Sequence, residues 1–122
     1  MLWAASHWLI VFESVYSMDG DVAPLPALLD LCRRHDAILY VDDAHGLGVL
    51  GAHGRGTLSH FGIEAPEVIC MGTLGKAAGV AGAFVAGSRE LVSWLLNRVR
   101  THIYTTAMPP SQAHALCTAI TL

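Results

Sequence analysis

The chain has 122 residues, of which 53% are hydrophobic and only 14% charged, and its mean hydropathy is +0.48. That composition excludes a disordered or low-complexity chain and suits one domain or a piece of a larger one. A formal net charge of −3 with no basic cluster argues against a nucleic-acid partner.

A membrane-spanning helix needs roughly 18 unbroken apolar residues, and the best runs, Leu2–Phe12 and Ala77–Gly87, are shorter. The first thirty residues hold no Lys or Arg, so neither a secretory signal nor a transit peptide is expected there. Cys32, Cys70 and Cys117 are odd in number and scattered in apolar settings. They read as reduced core thiols of a cytoplasmic protein, not as a disulfide framework or zinc site.

Trp8–Phe12 is an apolar run that predicts a buried strand. Ser14–Asp21 is polar and contains the turn pair Asp19-Gly20. After Pro24, Leu25, Leu28, Leu29 and Cys32 recur at spacings of three and four, predicting an amphipathic helix that ends near Arg33–His35. Ala37–Val41 predicts a second strand, closed by Asp42-Asp43. Gly46–Gly56 holds five glycines in eleven residues and predicts a loop. Val68–Met71 predicts a third strand opening onto a loop with Lys76, and Ala81–Ala86 a fourth. Leu91, Trp94, Leu95 and Val99 mark a helix over Glu90–Val99; Ile103–Thr106 reads as extended, and a last helix starts at Ser111. Trp3, Trp8 and Trp94 lie in apolar stripes and are expected in the core.

Strands that are continuous apolar runs, alternating with helices, predict an α/β fold with a mostly parallel sheet and flanking helices. Ligands in such folds lie beyond the carboxyl ends of the strands. Ser17 follows the first strand, Asp42 and His45 the second, and Thr73 and Lys76 the third, so three strand ends feed one region.

Lys76 is the sole lysine, against six arginines, and it sits among small residues in Thr73-Leu74-Gly75-Lys76-Ala77-Ala78-Gly79. A lysine in a tight pocket loses charge by desolvation and attacks carbonyls; a loop lysine facing solvent is the plainer alternative. Asp42 at a strand end suits a protonated ring nitrogen, such as that of a pyridine cofactor, and His45 a phenolate or carboxylate oxygen. A capping Asp with a turn His is the competing reading. Asp42, Asp43 and His45 could also bind a metal, but no second cluster completes such a site, and none is expected. Gly46-Leu47-Gly48-Val49-Leu50-Gly51 spells G-x-G-x-x-G, yet no helix pattern follows it and no acidic ribose partner lies at the right distance, so NAD binding is rejected. Thr73 between Gly72 and Gly75 suits a phosphate, as do Thr105 and Thr106 less strongly; ordinary strand and turn threonines are the alternative. The remaining histidines share no spacing.

Five ordered blocks carry a more specific signal: 13–21 (ESVYSMDGD), 41–46 (VDDAHG), 54–56 (GRG), 72–76 (GTLGK) and 104–110 (YTTAMPP). In order and spacing they resemble the α-oxoamine synthase family of pyridoxal-phosphate enzymes, over about residues 9–120. The resemblance implies the large domain of a fold-type I enzyme, in which Lys76 condenses with the cofactor aldehyde and serves as catalytic base. Asp42 would keep the pyridine nitrogen protonated, and His45 would bind the phenolic oxygen and help orient substrate. Ser17 would lie near that oxygen, Thr73 would bind the phosphate, and Thr105 or Thr106 would reach the cofactor phosphate of the neighbouring subunit in a homodimer. The implied substrates are an amino acid, L-alanine or else glycine, and an acyl thioester. A non-catalytic remnant of the fold also stays open. Residues 1–122 are expected to form part of the large domain, without the family's N-terminal segment and C-terminal small domain, to be inactive alone, and to leave apolar surface exposed.

Overall fold

The computed structural model describes residues 7–121. Strand β1 (Trp8–Glu13) is followed by helix α1 (Leu25–Arg34), β2 (Ala37–Asp42), the short helix α2 (Thr57–Phe61) and β3 (Val68–Thr73). Then come β4 (Ala83–Ala86), α3 (Arg89–Arg98), one helical turn α4 (Arg100–Ile103) and α5 (Pro110–Thr121). The four strands form one sheet in the order β1-β2-β3-β4. The first two pairings are parallel and the last is antiparallel. Strands that run parallel need a crossover, which α1 and α2 supply, whereas β3 and β4 are joined directly by the loop that carries Lys76.

Helix α1 forms where the sequence places it. Pro24 and Pro26 occupy its opening, where a missing N–H costs nothing, and Arg33 and Arg34 fill its last turn against the negative dipole end. Leu25, Leu29 and Cys32 lie on one face and are buried. They pack with Ala37, Leu39, Val41 and Val68, and Ile10 and Phe12 of β1 close the same core. The register explains this selection. Ile10 pairs with Leu39 and Phe12 with Val41, so these residues project to the α1 face of the sheet. Leu9, Val11 and Ile38 have the other parity and are exposed. Helix α3 is capped by Ser88, whose hydroxyl accepts from Leu91 N–H at 3.2 Å.

Four expectations fail. Ile103–Thr106 is not extended: Ile103 ends α4 and Tyr104 N–H donates to the Arg100 carbonyl, so a local helical turn overrides the strand preference of Ile, Tyr and Thr. Trp8 and Trp94 are not core residues, being 63% and 58% exposed: Trp8 shares the parity of Ile10 and Phe12 but stands at the open start of the edge strand β1, and α3 buries none of its residues; Trp3 lies outside the described residues. Cys117 is exposed on α5 rather than a core thiol, while Cys32 is buried. Helix α2 was not anticipated, since five residues between Gly56 and Gly62 are too few to show a periodic stripe.

Candidate functional site

Parallel pairing brings the carboxyl ends of β1, β2 and β3 to one edge. Glu13 is level with Asp42, and Asp42 with Met71. Side chains alternate along each strand, so Asp42, Met71 and Thr73 share the face opposite the core. Thr73 is the last residue of β3 rather than a loop residue. Its Oγ1 is buried and has no hydrogen-bond partner among the described residues. A buried hydroxyl left unpaired costs about 1–3 kcal/mol, which a polar ligand atom would relieve.

Asp42 is half-buried, and its Oδ1 accepts Ala44 N–H at 3.0 Å. The capping role set against the functional one is therefore present, and it leaves Oδ2 without a partner. The charge of Asp42 is felt locally: burial, and then Asp42, push the Tyr40 phenol up. His45 is half-buried in the turn that follows, with no hydrogen bond from its ring. Lys76 is exposed in the loop that Leu74 N–H to Gly82 O (2.9 Å) and Val80 N–H to Leu74 O (3.0 Å) close at its base. The tight pocket expected for it is not formed by the described residues. Ser17 is exposed at the tip of a turn held by Gly20 N–H to Tyr16 O and by the Val15–Val22 bridge. Thr105 and Thr106 are exposed between α4 and α5, and neither hydroxyl bonds to the other candidate residues. The strand ends thus bring Asp42 and Thr73 to one face, with His45 and Lys76 on adjoining loops, but not Thr105 and Thr106. Among the described residues no group of three or more His, Cys, Asp or Glu could hold a metal ion.

Asp43 is the residue that sequence reading passed over. It is 3% exposed, points to the core side, and takes three hydrogen bonds. Its Oδ1 accepts the hydroxyls of Ser14 and Thr57, each at 2.5 Å, and its Oδ2 accepts Thr57 N–H at 2.9 Å. Ser14 and Thr57 are fully buried. A buried carboxylate is tolerated when charge-assisted bonds satisfy it. This one fastens the end of β1, the end of β2 and the start of α2 together. A Cβ on Gly46 or Gly56 would overlap its oxygens, so both positions need glycine. The signal was parity: Asp43 lies two residues beyond buried Val41 on the core face. The same network reaches Cys70, whose thiol is pushed up to about 11 by burial first and then by the charges of Asp43 and Asp42.

The chain as a whole is similar in sequence and fold to known proteins. The 8-amino-7-oxononanoate synthase of Janthinobacterium sp. (strain Marseille) is 59% identical over 116 residues, which are 95% of this chain and 29% of that protein. The serine palmitoyltransferase of Sphingomonas wittichii superimposes with a TM-score of 0.87 at 37% identity, covering 98% of this chain and 30% of the other. A structure of SPT with a PLP internal aldimine does so with a TM-score of 0.84 at 35% identity, covering 93% and 29%. This chain therefore spans about three-tenths of the length of the relatives it matches. The family described as aminotransferase class I and II matches residues 4–121, and the chain belongs to that family.

Proposed function

We propose that the chain forms the central part of the large domain of an enzyme of the 8-amino-7-oxononanoate synthase type, working with pyridoxal phosphate. The observation that carries this reading is the pairing, on one sheet face at the carboxyl edge, of the Asp42 carboxylate with the buried, unpartnered Thr73 hydroxyl, beside the loop of the sole lysine. The residues fit the cofactor: an orphaned hydroxyl for its phosphate, a carboxylate for its ring nitrogen, and a primary amine for its aldehyde. The similarity to the Janthinobacterium synthase supports L-alanine and a pimeloyl thioester as the substrates. Another α-oxoamine synthase, using glycine and a different acyl thioester, is the second reading, since the same fold is found in a synthase of a different amino acid, serine palmitoyltransferase.

In this reading Thr73 binds the phosphate and Asp42 holds the proton on the ring nitrogen. A carboxylate a hydrogen bond away favours the charged form of that ring. His45 donates to the phenolic oxygen, with Ser17 near the same atom, and orients the amino acid. Lys76 anchors the cofactor through its ε-amine and takes the α-proton of alanine. When bound, the cofactor supplies an electron sink for the carbanion that remains. The acyl thioester would be held where its carbonyl meets the alanine α-carbon; its thiol and the carbon dioxide of the alanine carboxylate would leave, and Lys76 would return a proton to that carbon before the aminoketone is released. The open face with Leu9, Val11 and Ile38 supports the reading of a partial domain, because parallel sheets are normally covered on both faces. The reading places the complete enzyme in the cytoplasm as a homodimer, with Thr105 or Thr106 serving the partner's cofactor phosphate. No helix among the described residues is long and apolar enough to cross a membrane.

The test is exchange of residues 7–121 into the Janthinobacterium relative. The exchanged enzyme is expected to release carbon dioxide and thiol from L-alanine and pimeloyl-CoA in equal amounts. Turnover of glycine in preference to alanine would favour the second reading. Absence of both, in a folded and cofactor-loaded protein, would contradict the first.

A further inference from the structure

The G-x-G-x-x-G run, Gly46–Gly51, binds no nucleotide in the reading above, yet it is anchored from several sides and one of its glycines is seated against the lysine loop. Asp43 holds the near end: its carbonyl accepts Gly46 N–H at 3.2 Å and Leu47 N–H at 2.9 Å. Gly54 holds the far side, since its carbonyl accepts Gly48 N–H at 2.7 Å and its missing Cβ would stand 3.1 Å from Gly48 Cα. Leu47 lies over β3, where a Cβ on Gly72 would meet its Cδ2 at 3.2 Å. Gly48 is then pressed against Ala77, the neighbour of Lys76, so closely that a Cβ on Gly48 would overlap the Ala77 methyl. Gly48 also has φ +78°, a conformation that side chains rarely adopt.

We propose that Gly48, seated on Ala77, is a positioning residue. It sets where the Lys76 loop stands relative to the Asp42–His45 turn, so that the two halves of the site move as one piece. The contact joins a loop anchored by the buried Asp43 network to a loop otherwise tied only at its base. Lys76 is exposed and its amine has no hydrogen bond to another of the described residues, so its placement depends on the backbone beneath it. This inference rests on the role proposed for Lys76.

The experiment follows two readouts in the exchanged full-length enzyme: amide exchange at Gly79 and Val80, and the rate at which pyridoxal phosphate with borohydride labels Lys76. Gly48→Ala is expected to speed exchange in the loop and to slow labelling by about tenfold, as misplaced reacting groups do. Gly62→Ala is the control, because Gly62 has φ +64° with nothing within 4 Å of its absent Cβ; it introduces backbone strain and is expected to change neither readout. Ala77→Gly in the Gly48→Ala background is expected to restore part of the labelling rate by removing the overlap. Ala77→Gly alone removes the contact from the other side and is expected to speed exchange even if Gly48→Ala fails to fold. Equal behaviour of Gly48→Ala and Gly62→Ala, or unchanged exchange in Ala77→Gly, would overturn the inference while leaving the cofactor reading intact. No labelling of Lys76 in the otherwise unaltered exchanged enzyme would overturn the cofactor reading, and the inference with it.

Discussion

Asp43→Ala is expected to destabilise the chain by about 3–5 kcal/mol, the largest effect of any single substitution near the site. The change strands three buried donors, the Ser14 and Thr57 hydroxyls and Thr57 N–H. Each buried polar group left unpaired costs about 1–3 kcal/mol, and the total is held down because the two hydroxyls are free to turn toward one another. Asp43→Asn is expected to cost less. Its amide oxygen still accepts both hydroxyls, but its NH2 group meets Thr57 N–H, donor against donor. Urea unfolding of the three proteins checks the order, with the midpoint falling from Asp to Asn to Ala. Equal midpoints would show that the network adds nothing to the fold.

Asp42→Asn is the second substitution, and its effect falls on chemistry. Asn keeps the side-chain oxygen that accepts Ala44 N–H, so the turn survives. What is lost is the negative charge opposite the ring nitrogen. A charge-assisted hydrogen bond is worth up to about 3 kcal/mol, and at that size the loss lowers kcat about 100-fold. The expected result, in the exchanged full-length enzyme, is a fall in kcat of that order with the urea midpoint unchanged. A matched fall in stability would instead assign Asp42 to capping alone.

The contrast between these adjacent aspartates shows what the sequence carried and what it did not. The apolar runs at Trp8–Phe12, Ala37–Val41 and Val68–Met71 locate three strands, but the first is not the buried strand expected: β1 is the sheet's edge and none of its residues is buried. Leu25, Leu28, Leu29 and Cys32 locate α1 because a helix repeats every 3.6 residues. Asp42 and Thr73 share a face because the register is parallel, and alternation along a strand fixes the rest. Asp43 was hidden because its role depends on Ser14, 29 residues before it, and Thr57, 14 after it, neither of which looks unusual locally. The exposed Trp8 and Trp94 were misjudged for the same kind of reason. An apolar stripe says that residues seek cover, but among the described residues α1 does not reach the start of the edge strand β1, and α3 buries none of its residues. The glycine run was legible as a loop, but its close approach to Ala77 is a tertiary fact.

The claim on which the account turns is that the sole lysine of this sequence, Lys76, is the amine that holds the cofactor. Reduction with borohydride in the presence of pyridoxal phosphate, followed by peptide mass mapping, reads that directly in the exchanged full-length enzyme. The account expects a phosphopyridoxyl group on the peptide containing Lys76, absent from Lys76→Ala. A folded enzyme that carries no adduct there, or carries it on another lysine, would contradict it.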